Sequence, residues 1–90
     1  MESIELIISG RVQGVGYRHF VANHARSLHI VGFVKNLYDG RVKVVAQGNQ
    51  TAIEQLIILL QSGPRFAHVC DIEQSLFIGK ENFTEFSVRF

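Results

Sequence analysis

The chain has ninety residues, 47% of them apolar, with nine basic and eight acidic side chains and a formal charge of +1; it can bury one modest core. The apolar content excludes general disorder, the near balance of charge gives no nucleic-acid signature, and no apolar run is long enough to span a bilayer. A single cysteine, Cys70, excludes an internal disulfide, and no basic-then-apolar leader opens the chain, so the cytoplasm is the expected location.

Ile4, Leu6 and Ile8 alternate with Glu5, Ile7 and Ser9, which predicts a strand over 3–11 with the even positions inward. Ile7 makes its second face partly apolar, as in a central strand. After a glycine-bearing turn, Phe20, Val21, His24, Ala25 and Leu28 recur at helical spacing and predict a helix over 18–28. A second strand is expected at 30–38, interrupted by Gly32 for close packing or a bulge. Asp39-Gly40 is a hairpin signal, and the third strand follows at 41–47 with Val42, Val44 and Ala46 on one face. Asn49, or Thr51 with Glu54, can cap a second helix whose apolar face is Ile53, Leu56, Ile57 and Leu60 and which Gly63-Pro64 stops.

A strand near 67–78 includes Val69, Ile72 and Leu76, but its alternation is imperfect and a bulge would rephase it. Residues 79–83 read as a loop. Phe86, Val88 and Phe90 then share one face of a short last strand, opposite Glu85, Ser87 and Arg89. The order strand, helix, strand, strand, helix, strand predicts an α+β split βαβ sandwich, with two helices packed on one face of an antiparallel sheet. The first and second strands flank the third, which brings the turn at 14–18 and the second strand to the same edge. The face without helices is expected to be polar or partner-bound, with Ile7 and Val45 upon it.

The candidate chemistry lies in 10–18, Gly10-Arg11-Val12-Gln13-Gly14-Val15-Gly16-Tyr17-Arg18, where strand gives way to helix. Glycines at such a turn let backbone N–H groups converge, and a helix start adds further unpaired N–H groups and a favourable dipole end. Arg18 adds a planar fork for two anionic oxygens. The motif is not a Walker A sequence, which needs Lys before Ser or Thr. It also fails G-x-G-x-x-G, whose last place is His19. On these residues alone, an anion site and a tight turn bearing a solvated arginine both remain open. The first fifty residues carry a net charge of +3 and the rest −2, which suits a small anion bound through the first half. His19, His24, His29 and His68 are read as noncatalytic, Cys70 as a small core residue, and Phe20, Phe83, Phe86 and Phe90 as packing rather than a base-stacking platform.

The stretch G-R-V-Q-G-V-G-Y-R at Gly10–Arg18 and G-F-V-K-N-L-Y-D-G-R-V-K-V-V-A-Q-G at Gly32–Gly48 resemble the two signatures of the acylphosphatase family. S-G-P-R-F-A-H-V at 62–69 and F-S-V-R at 86–89 also fit, so the likeness covers one domain over 1–90. The resemblance implies a ferredoxin-like sandwich and a hydrolase that splits the carboxyl–phosphate bond of acyl phosphates without metal or organic cofactor. It implies Arg18 as the phosphate-binding arginine, Asn36 as the water-positioning asparagine, and Gln13, Gly14, Val15, Gly16 and Tyr17 as the substrate-binding loop. Tyr17 is expected to shape this loop rather than exchange protons. The implied partners are a small acyl phosphate and inorganic phosphate, not nucleic acid or membrane, and the implied state is a monomer. The chain departs from the family at Leu28-His29, where Leu-Gly is common, at Gln47, where Glu is frequent, and in a short 79–83 connection. A noncatalytic phosphate-sensing or protein-interaction module of the same fold is the competing class, and RNA binding through the sheet a third.

Overall fold

The computed structural model describes residues 1–90. Seven elements follow one another: β1 (Glu2–Arg11), α1 (Tyr17–Ser27), β2 (Val31–Asn36), β3 (Val42–Gly48), α2 (Gln50–Ser62), β4 (His68–Leu76) and β5 (Phe86–Arg89). The strands form one sheet in the order β4-β1-β3-β2-β5. β3 pairs antiparallel with both β1 and β2, so the glycine turn after β1 and the end of β2 lie at one end of the sheet. The expected α+β ferredoxin-like arrangement is present, with β5 added to the edge of β2 in parallel orientation. None of the helices is long and apolar enough to cross a membrane.

Alternation drives the layering. Ile4, Leu6 and Ile8 on β1 and Val42, Val44 and Ala46 on β3 are all buried on the face that meets the helices. Val21 and Ala25 of α1 and Ile53, Leu56 and Leu60 of α2 close the core from above. Asn49, not Thr51, caps α2: its Oδ1 accepts the Ala52 N–H at 2.8 Å. α1 ends in a paired turn in which the His29 N–H donates to the Arg26 carbonyl at 3.1 Å and the Ile30 N–H to the Ala25 carbonyl at 2.9 Å. His29 takes the left-handed conformation this turn requires, with φ 59°.

Three expectations need correction. The β2–β3 hairpin is closed by a five-residue loop, 37–41, rather than by Asp39-Gly40 alone, because the ladder ends at Asn36↔Val42. Within it the Arg41 N–H and guanidinium both donate to Asp39, which holds that carboxyl below its usual pKa. Of the two readings of Gly32, close packing holds and the bulge does not: the register runs unbroken through Gly32↔Ala46, and a Cβ there would overlap the Val45 carbonyl oxygen. Cys70 is exposed, not core. The β1–β4 register jumps from Ser9↔Asp71 to Gly10↔Val69, so Cys70 is the extra residue of a bulge.

The third correction concerns the helix-free face. It is neither polar throughout nor left for a partner: Phe33, Val45 and Gln47 are buried upon it. The connection between β4 and β5 folds back as a strap. Phe83 packs on Phe33 with ring centroids 5.7 Å apart, and Phe77 lies 6.0 Å from Phe83. The Gln47 amide donates to the Glu81 carbonyl at 3.1 Å. Farther along the same face Lys43 pairs with Glu5 at 3.4 Å.

Candidate active site

The loop from Val12 to Gly16 is held down by its apolar members. Val12 is buried and Val15 packs against the core, leaving Gly14 and Gly16 outward. These glycines have φ of 74° and 78°. A Cβ at either would meet nothing within 4 Å, so conformation rather than space selects glycine, and the space in front of the backbone is open. Gly16 is the residue before α1 and offers no side-chain cap. No backbone N–H from Val12 to His19 finds an acceptor within the chain. A helix start with uncapped N–H groups, next to two residues of left-handed conformation, is a concavity of positive potential.

Val12, Gly14, Gly16, Tyr17, Arg18, His19 and Asn36 line a cleft of about 220 Å³ at this point. Arg18 stands on the first turn of α1. One arm of its guanidinium, Nη1, donates to the Arg89 carbonyl at 2.9 Å, and its Cζ lies 4.6 Å from the centroid of the Phe90 ring. That leaves the other donors of the fork uncommitted. Asn36 is the last residue of β2 and lies on the helix side of the sheet, opposite Val42. Its Oδ1 is buried without a hydrogen-bond partner. A buried amide oxygen left unsatisfied is uncommon and costs stability, which marks it as an acceptor awaiting a donor.

Of the residues expected at the site, Gly14, Gly16, Tyr17, Arg18 and Asn36 come together around the cleft. Tyr17 does so through its backbone. Its side chain is buried, the hydroxyl donates to the Leu60 carbonyl at 2.7 Å, and burial pushes its pKa well above the usual phenol value. Val15 anchors the loop but does not line the cleft.

Gln13 also lies outside the cleft, and its role is one the sequence did not disclose. Its Nε2 donates to the Leu37 carbonyl at 2.8 Å and to the Arg41 carbonyl at 2.9 Å, tying the glycine loop to the turn that follows Asn36. Both partners are main-chain oxygens, which every residue carries, so no residue pattern could have announced the contact. The Arg89 carbonyl that meets Arg18 was hidden for the same reason. His19, expected from the sequence to be noncatalytic, also lines the cleft. No group of three or more His, Cys, Asp or Glu side chains is arranged to hold a metal ion.

Fold and cleft define a two-layer α+β sandwich with an anion-receptive helix start. Residues 4–88 match the profile of the acylphosphatase family. An acylphosphatase of Caldivirga maquilingensis is 42% identical over 88 residues, covering 97% of this chain and 93% of that one. One from Archaeoglobus fulgidus is 40% identical over 90 residues and the full length of both. The crystal structure of the Bacillus subtilis acylphosphatase superposes with a TM-score of 0.95 at 36% identity, covering both chains entirely. The chain belongs to the acylphosphatase family, and it is a hydrolase that cleaves the carboxyl–phosphate bond of acyl phosphates.

Proposed function

We propose that Arg18 and the backbone N–H groups of Gly14 to Arg18 hold the phosphoryl group, while Asn36 orients the attacking water. The observation that carries this reading is the unpartnered Asn36 Oδ1 on the wall of the cleft that Arg18 also lines. An O–H of water donates to Oδ1, which fixes the water oxygen for in-line approach to phosphorus. As the new P–O bond forms, the bond to the acyl oxygen breaks and the carboxylate leaves with the electron pair. A carboxylate is a good leaving group, so no general acid is required. The proton of the water passes to a phosphate oxygen, giving inorganic phosphate.

The N–H cradle and the guanidinium act on the charge that redistributes over the phosphoryl oxygens in the transition state. One such preorganised donor is worth about 3 kcal/mol. Arg18 serves as both a binding and a catalytic group; Asn36, which is no base, serves by position. The reaction needs no cofactor or metal on this account, the substrate is a small acyl phosphate, and the ninety residues work as one monomeric domain. We place the protein in the cytoplasm, where the exposed Cys70 thiol stays reduced.

The test is hydrolysis of a synthetic acyl phosphate after exhaustive chelation, with Asn36→Ala alongside. The expected result is full activity without metal, and turnover lost in Asn36→Ala while inorganic phosphate still inhibits. Unchanged turnover in folded Asn36→Ala removes the water-positioning role, and loss of wild-type activity on chelation removes the metal-free mechanism.

A further inference from the structure

The guanidinium of Arg18 is held by the end of β5, none of whose residues lines the cleft. Its Nη1 donates to the main-chain carbonyl of Arg89, at the end of β5. The side chain of Arg89 points to the other face of the sheet. There its Cζ lies 3.9 Å from the centroid of Phe33 and 5.8 Å from that of Phe83, and its Nη2 is 3.4 Å from a Glu81 carboxylate oxygen. Phe83 and Glu81 belong to the strap between β4 and β5, and the strap is fastened by the Gln47 amide on the Glu81 carbonyl.

β5 is anchored at its start, where Phe86 is buried and its carbonyl accepts two bonds from the Arg26 guanidinium, and less so at its far end. It is four residues long, sits at the edge of the sheet, and pairs only with β2. A short edge strand frays readily. The stacked and ion-paired side chain of Arg89 fastens the end of that strand, and with it the carbonyl that Arg18 uses.

We propose that Arg89 is a positioning residue for Arg18, and that the aromatic strap acts on catalysis through it from the opposite side of the sheet. This rests on the reading of Arg18 as the group that holds the phosphoryl oxygens. A long side chain held in one rotamer before substrate arrives loses less freedom on binding. Releasing it lowers the catalytic efficiency without altering any group that touches substrate.

The experiment is a double-mutant cycle on acyl-phosphate hydrolysis with Arg89→Ala, Arg18→Ala and the pair, each checked for native circular dichroism and thermal unfolding. Arg89→Ala is expected to lower kcat/KM by about threefold to tenfold, the worth of one immobilised side chain, and to weaken inhibition by inorganic phosphate in step. In the Arg18→Ala background the same change is expected to cost nothing further. Arg89→Lys keeps the charge and the length but not the planar stack, and is expected to fall between wild type and Arg89→Ala; it also serves if the alanine variant does not fold. An Arg89→Ala penalty that multiplies fully onto Arg18→Ala would mean the strap acts on the fold and not through Arg18, and overturns the proposal. So does activity that stays level or rises in Arg89→Ala or, where that variant does not fold, in Arg89→Lys. Near-normal activity of folded Arg18→Ala would instead defeat the underlying reading of Arg18 and is distinguishable from both.

Discussion

Replacing Gln13 by alanine removes two hydrogen bonds and no group that faces the cleft. The bonds, at 2.8 and 2.9 Å, are half-buried and run to the carbonyls of Leu37 and Arg41. Two neutral bonds contribute about 1–3 kcal/mol together, and water reaching the freed carbonyls returns part of this, so the loss of stability is about 1–2 kcal/mol. In a domain of this size that is a fall of roughly 5–15 °C in Tm. The hairpin loop keeps its own closure, with the Leu37 N–H donating to the Arg41 carbonyl at 2.8 Å, so it shifts as a unit and carries Asn36 with it. A displacement near 1 Å can cost a hundredfold in rate, and we expect kcat to fall by about tenfold to a hundredfold. Inhibition by phosphate should change by less than about threefold, because Arg18 and the N–H cradle stay in place. Gln13→Glu should be worse, since a carboxylate would face two carbonyl oxygens with no proton to give. Steady-state kinetics with phosphate as inhibitor, beside thermal melts, make the test. Weaker phosphate inhibition with kcat intact would show that Gln13 touches substrate and is not a strut, and no change in either kinetics or melting would refute the reasoning altogether.

Asn36→Ala should abolish most turnover while changing stability by less than about 1 kcal/mol, because no protein group bonds to its amide oxygen; a larger loss in urea denaturation would mean that the side chain holds the fold rather than a water. His29→Gly should add about 0.5–1 kcal/mol, the left-handed strain of histidine less the extra freedom of glycine in the unfolded chain, and chemical denaturation reads it directly. Gln47→Glu should destabilise by about 1–3 kcal/mol at neutral pH, since the nearly buried side chain then faces the Glu81 carbonyl without a proton. Burial raises the folded-state pKa of that glutamate, so its penalty should be absent below the ordinary carboxyl pKa of about 4, where it can donate, and grow as pH rises; melts that show the same deficit at both ends of the range would contradict this.

The helix side of the sheet was legible because its signal is periodic. Ile4, Leu6, Ile8, Val42, Val44 and Ala46 repeat at the strand period, and Leu56 and Leu60 at the helical one, and each is buried where the pattern puts it. The other face was not. Phe33 and Val45 alternate with residues that are themselves buried, so period alone could not say what covered them. The cover is the strap, whose Phe77 and Phe83 lie in a stretch with no regular element and pack by long-range contact. Cys70 was misplaced for a related reason: a bulge changes which side a residue takes without altering the residues around it in sequence. In the cleft, Gly14, Gly16, Arg18 and Asn36 could be named because side-chain chemistry and spacing carry them. Gln13 and the Arg89 carbonyl act through main-chain oxygens, and only coordinates reveal those.

The measurement that bears most directly on the central claim is acyl-phosphate hydrolysis by Arg18→Ala, taken with calorimetric titration of inorganic phosphate and a check of native fold. Turnover and phosphate binding are expected to collapse together while the fold is retained. A folded Arg18→Ala protein that binds phosphate and hydrolyses acyl phosphate near the wild-type rate would contradict that claim.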